Sequence, residues 1–216
     1  MGRRQGQPVR CGRTRAHPGY RSRRCAPDRI LTFPAANEVV MRDALIVVDM
    51  QRDFCTGGAL AAHATDSLIA PVNALITDYG RADRLVIFSR DWHPADHCSF
   101  TQQGGQWPVH CVAGTEGAEF HSTLLIPRCH LVVSKATGAD QDSYSAFDGP
   151  GLAALLKNLG IGSLALCGIA TEYCVLATWQ AAVDNGFEAV VHTGAIRPVA
   201  PGSEEEKQAL EKFAAA

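Results

Sequence analysis

Five short apolar runs punctuate the chain: ALIVV at 44–48, LVIFS at 85–89, HLVVS at 130–134, SLALC at 163–167 and EAVVH at 188–192. Most are rich in β-branched residues, and they are continuous rather than alternating. A strand with one wet face alternates apolar and polar residues; a continuous run buries both faces, as in a parallel sheet covered by helices on either side. Between the runs, residues 67–80, 150–159 and 174–185 space their apolar positions at helical period, and Gly160 and Gly186 follow the last two as stops. The closing segment SEEEKQALEKFAAA predicts a helix with little apolar face beyond Leu210 and Phe213. Strand–helix alternation predicts an α/β fold: three layers, α/β/α, with a doubly wound, mainly parallel sheet. No internal repeat is visible.

Such a sheet binds ligands beyond the carboxyl ends of its strands. Four of the runs end in polar or reactive residues. ALIVV leads into Asp49, LVIFS into Arg90 and Asp91, HLVVS into Lys135, and SLALC into the loop GIATEYC. Asp49, Asp91, Lys135 and Cys174 are therefore expected on one rim.

Composition divides the chain. Residues 1–40 carry nine arginines against Asp28 and Glu38, a balance of +7, so the overall −2 leaves −9 for the remainder. This stretch is rich in Arg, Gly and Pro and has no sustained apolar period, so it reads as a basic, disordered extension. A transit peptide, a basic arm for nucleic acid, and an extension upstream of a true start at Met41 are the three readings. Residues 41–216 then form a single domain, long enough for one core. Its acidity argues against nucleic acid as a partner. No apolar run approaches the ~20 residues of a membrane span. The eight cysteines of the sequence show no paired C-x-x-C spacing, which points to a reducing, cytoplasmic setting with most thiols buried as small hydrophobes.

Cys174 opens the helical pattern CVLATWQAAV after a glycine-containing loop. A thiol at a helix N-terminus meets free N–H groups that favour thiolate, and Lys135 would add to that. With Asp49 the set reads as nucleophile, charge stabiliser and proton shuttle; a plain buried cysteine is the alternative. A second constellation lies in DWHPADHCSF and WPVHC. Asp91 and His93 sit two apart beyond a strand, and His110 follows a Gly/Gln-rich loop. Asp/His/His suits one divalent ion, Zn²⁺ foremost, with Fe²⁺ or Mn²⁺ as alternatives. His97 either ligates or bonds Asp91 from behind. His63, His121 and His130 read as loop, surface or packing residues.

Five motifs, DMQRDFCTGGAL (49–60), RDWHPADHCSF (90–100), WPVHCVAGTEGAEFH (107–121), SKATGADQDSYSAFDG (134–149) and CGIATEYCV (167–175), carry a resemblance. Their order and content are similar to the nicotinamidase/pyrazinamidase branch of the isochorismatase-like cysteine hydrolases, from Met41 to about Ala200. The resemblance implies a catalytic triad of Asp49, Lys135 and Cys174 and metal ligands Asp91, His93 and His110. It implies a cis peptide at Ile169–Ala170 beside an oxyanion hole made by the N–H groups of Ala170 and Cys174. Phe54, Trp107, Tyr144 and Ile169 would surround the substrate ring. Two departures stand out. Glu172 occupies a position where relatives have Asp, with loop backbone as its expected partner. The chain also ends in a helix where relatives continue into a last strand, so that strand is missing here and its neighbour is expected to be an exposed edge.

The resemblance implies a nicotinamide amidohydrolase of NAD salvage, forming nicotinate and ammonia through a cysteine thioester, with pyrazinamide as a further substrate. The alternatives are another cysteine amidohydrolase of this fold acting on a carbamoyl or ureido compound, a metallohydrolase in which metal-bound water attacks, and a non-catalytic metal-binding relative. Monomer and homo-oligomer both remain open.

Overall fold

The computed structural model describes residues 42–149 and 151–215. The basic extension expected over 1–40, the start at Met41, and Pro150 lie outside the described residues.

Continuous apolar runs become central strands. β1 (Arg42–Val48) lies in the middle of a five-stranded, all-parallel sheet, flanked by β2 (Leu85–Asp91) and β4 (Ile161–Ile169), with β3 (Leu131–Lys135) and β5 (Glu188–Arg197) at the edges. Alternate side chains of β1 feed two cores. Leu45 and Val47 join Phe88 and the Val72 and Ile76 face of α1 (Ile69–Arg81). Ala44, Ile46 and Val48 join Leu152 and Leu156 of α2 (Leu152–Asn158) and Trp179 and Ala182 of α3 (Leu176–Asp184). This is the three-layer arrangement, and it explains why the strand sequences do not alternate. No helix among the described residues is long and apolar enough to cross a membrane.

The closing helix α4 (Glu204–Ala214) forms, with Ser203 Oγ capping the Glu206 N–H at 3.1 Å. Its thin apolar face suffices because Phe213 meets Trp179 edge-on at 5.4 Å. β5 runs five residues past its apolar stretch, through TGAIR. Val191 pairs with Leu166 and Ile196 with Gly168, so the intervening residues bulge. Among the described residues β5 is an edge strand, and its Val190 is 63% exposed.

Strand order β3-β2-β1-β4-β5 puts the reversal of winding between β1 and β4, where a crevice opens beyond the strand ends. Gly168 closes that junction. It has φ +118°, and a Cβ there would collide with the Val48 carbonyl oxygen of β1. Gly168→Ala is expected to cost about 3 kcal/mol or more, combining backbone strain and overpacking. The check is a fall in the urea midpoint at unchanged slope; an unshifted midpoint would show that β1 and β4 part easily there.

Candidate active site and metal centre

Asp49 follows β1 in the left-handed region, φ +48°, which turns its side chain across the sheet end. Lys135 is the last residue of β3. The two meet at 2.9 Å, Nζ to Oδ2, with both side chains buried. Lys135 Nζ also donates to Asp91 Oδ1, to the Ser143 carbonyl at 3.4 Å and to Cys174 Sγ at 3.4 Å. Asp49, Lys135, Asp91 and Cys174 thus converge from four strand ends onto the rim where the sequence pattern puts them.

Cys174 differs in detail from expectation. It lies within a wide π-type turn, Thr171–Val175, that precedes α3, and the Ala170 carbonyl accepts from both Tyr173 and Val175 at 3.1 Å. Its thiol is not shifted toward thiolate. Burial pushes its pKa well up; Lys135 opposes this, but Asp49 and Asp91 add to it. Burial likewise raises Asp49, with Asp91 adding to the shift and Lys135 and Ser89 opposing it. Lys135 remains firmly protonated: burial acts against its charge, but the two carboxylates and the thiol outweigh it. Thiol, carboxylate and ammonium lie together, with Lys135 Nζ touching both of the others. Of the other buried thiols described, none is hydrogen-bonded to Lys135. Burial and Asp66 move Cys55 up to about 11, and burial also raises Cys111 and Cys167.

The second constellation assembles at the end of β2. His93 Nδ1 donates to the Ala136 carbonyl at 3.1 Å, and His110 Nδ1 to the Pro108 carbonyl at 2.7 Å. Both Nε2 atoms are therefore left as bare acceptors. They face each other at 3.3 Å, with Asp91 Oδ2 3.5 Å from one and 4.0 Å from the other. Two lone pairs and a carboxylate aimed at one point repel unless a cation lies between them, so these donors fit a divalent metal. Burial works against the Asp91 charge, but Lys135 and His93 outweigh it and hold the carboxyl well below the usual range.

His97 takes neither role expected of it. Its Nδ1 pairs with Ser99 Oγ at 2.8 Å and its Nε2 with the Gln141 carbonyl at 3.2 Å, so neither nitrogen is free for a metal or for Asp91. Its ring stacks on His93 at 4.2 Å. The turn at Pro94–His97, closed by the His97 N–H on the Pro94 carbonyl, carries the ring behind the metal ligand rather than beside it.

An apolar cavity opens above both constellations. Its empty volume is about 410 Å³, and Phe54, Trp107, Tyr144, Ile169, Ala170 and Cys174 line it, with Asp91 and His110 at the metal end. Trp107 Nε1 donates to Tyr144 Oη at 3.0 Å, fixing two walls together. The Ile169–Ala170 peptide is cis. Tyr173, Leu60, Ala62 and Val199 also line the cavity and escaped the sequence reading. Tyr173 could have been found from its place beside Cys174; Val199 could not, since only the return of the chain after β5 brings it there. Glu172 bonds loop backbone as expected, accepting from Val199 and Ala200 at 2.9 and 3.1 Å.

Three supporting residues were also missed. Gln51 clamps the Asp91 backbone in both directions at 2.7 Å. Asp53 Oδ2 accepts from the Cys111 N–H at 2.7 Å, tying down the loop that carries His110. Ser89 bonds Asp49. Gln51 and Asp53 both lie in DMQRDF, so a polar pair inside an otherwise buried motif was the available signal.

The three-layer fold with its crevice between β1 and β4 is that of a hydrolase family: the chain belongs to the isochorismatase family, whose domain it matches over residues 43–216. Within that family its similarities are specific. A nicotinamidase of Acinetobacter baylyi is 38% identical over 178 residues, covering 72% of this chain and 81% of the relative. The nicotinamidase/pyrazinamidase of Mycobacterium tuberculosis is 37% identical over 152 residues, covering 67% and 80%. Among solved structures, the pyrazinamidase of Pyrococcus horikoshii in complex with zinc superposes with a TM-score of 0.77 at 44% identity, over 81% of this chain and 95% of that one.

Proposed function

We propose that the protein hydrolyses nicotinamide to nicotinate and ammonia, with pyrazinamide as a second substrate, through a thioester on Cys174. The observation that carries this reading is the contact of Lys135 Nζ with both Asp49 Oδ2 and Cys174 Sγ, with an Asp49 carboxylate oxygen within 4.8 Å of the sulfur, beneath a cavity walled by Phe54, Trp107 and Tyr144. The names borne by its relatives point to the same amide.

Asp49 takes the thiol proton, and the sulfur attacks the carboxamide carbon. The N–H groups of Ala170 and Cys174 hold the oxyanion. Asp49 returns the proton to the amide nitrogen, the C–N bond breaks and ammonia leaves. Water then adds to the thioester carbon as Asp49 takes its proton, and the C–S bond breaks to give nicotinate and the free thiol. Lys135 keeps its charge throughout and stabilises the sulfur and the carboxylate. Asp91, His93 and His110 would hold a divalent ion, zinc foremost, which when bound supplies a Lewis-acid position for the ring nitrogen. Phe54, Trp107 and Tyr144 would stack about the ring.

The test is ammonia release by purified protein from nicotinamide, pyrazinamide and N-carbamoyl amines, with nicotinate quantified alongside. Equal yields of nicotinate and ammonia are expected. Turnover of the carbamoyl compounds alone would assign the same triad to a ureido substrate.

A further inference from the structure

We propose that Ser89 is a positioning residue: its hydroxyl fixes the plane of the Asp49 carboxylate beside Lys135 and Cys174. The inference rests on the cysteine mechanism proposed above and adds a residue to it.

Asp49 presents its two carboxylate oxygens to different partners. Oδ2 lies 2.9 Å from Lys135 Nζ, which also donates to Asp91 Oδ1, to the Ser143 carbonyl and to Cys174 Sγ. A carboxylate held at one oxygen only could still turn about its Cβ–Cγ bond, and the thiol proton would then have no fixed acceptor.

The second hold comes from the neighbouring strand. Ser89, buried on β2, donates its hydroxyl to Asp49 Oδ1 at 2.7 Å. Its carbonyl accepts the Asp49 N–H at 3.2 Å. One residue thus grips Asp49 at backbone and side chain. With Oδ1 anchored by Ser89 and Oδ2 beside Lys135, the plane of the carboxylate is set next to the thiol, which lies within 4.8 Å of a carboxylate oxygen of Asp49.

Ser89→Ala deletes the hydroxyl and leaves the backbone bond. It should lower kcat by roughly 10- to 100-fold, the scale of a lost alignment, while KM for nicotinamide stays within about twofold. Iodoacetamide should alkylate Cys174 more slowly by a similar factor, and the melting temperature should move little. Ser89→Thr, which keeps the hydroxyl, should recover most of both rates. The alkylation arm needs no substrate, so it reads Ser89 even if nicotinamide is not turned over. If alanine leaves both rates within twofold of the parent, Ser89 does not position the base. If both variants lose rate and melting temperature together, Ser89 is a packing residue and the inference fails.

Discussion

Cys174→Ala should abolish turnover, by roughly 10,000-fold or more, and still bind nicotinamide. On the proposed mechanism the thiol supplies the atom that makes the new bond. Ring contacts come from elsewhere, from the cavity wall formed by Phe54, Trp107 and Tyr144, so the dissociation constant measured by calorimetry should stay within a few-fold. Cys174→Ser should be almost as inactive, because a hydroxyl is harder to deprotonate than a thiol and no strong base lies beside it among the described residues. A pyridine aldehyde should form a thiohemiacetal with the parent and not with either variant. Peptide mapping should find the adduct on Cys174 and not on Cys55, Cys98 or Cys111. The contrast does not arise from acidity alone, since burial raises Cys174 as it raises Cys55 and Cys111. It arises because, among the described cysteines, Cys174 is the one hydrogen-bonded to the Lys135 ammonium and the one lining the cavity. Residual activity above a few per cent in the alanine variant would exclude the thioester route.

The sequence made the frame of this site legible because the chemistry follows directly from strand ends. A residue that ends a buried parallel strand must emerge on the rim, so Asp49, Asp91 and Lys135 could be put there by counting. The strand tail TGAIR could not, because a bulge interrupts the apolar pattern that would have marked it. Ser89 was hidden for a related reason: it reads as the polar close of an apolar run, and only pairing of β2 with β1 reveals its bond to Asp49. The thiol's environment was misjudged because local placement at a helix start is visible in sequence, whereas depth of burial and two nearby carboxylates are not. His97 went astray by the same route. Spacing brought it near the metal ligands, and the turn at Pro94 decided which way its ring faces.

Removal of the divalent ion should weaken nicotinamide binding by roughly 100-fold, about 3 kcal/mol, and leave the alkylation rate of Cys174 within about twofold. Asp91, His93 and His110 gather at one end of the cavity and Cys174 lines it as well. On the proposed reading, a ring held by its nitrogen at the metal end would present its carboxamide toward the thiol, so the ion would orient the substrate and Cys174 would supply the nucleophile. Benzamide has the same carboxamide and nearly the same shape but no ring nitrogen. It should be a poor substrate of the metal-loaded protein, and removing the ion should change its turnover little. His110→Ala should behave like the stripped protein, with metal content by mass spectrometry below one equivalent and a raised nicotinamide dissociation constant. The competing picture, in which metal-bound water attacks the amide, makes opposite demands. Benzamide would then be hydrolysed well, turnover of both amides would track metal content, and Cys174→Ala would keep part of its activity. Measuring both amides, with and without the ion, in the parent and in Cys174→Ala separates the two, because only an attacking water lets activity follow the metal after the thiol is gone.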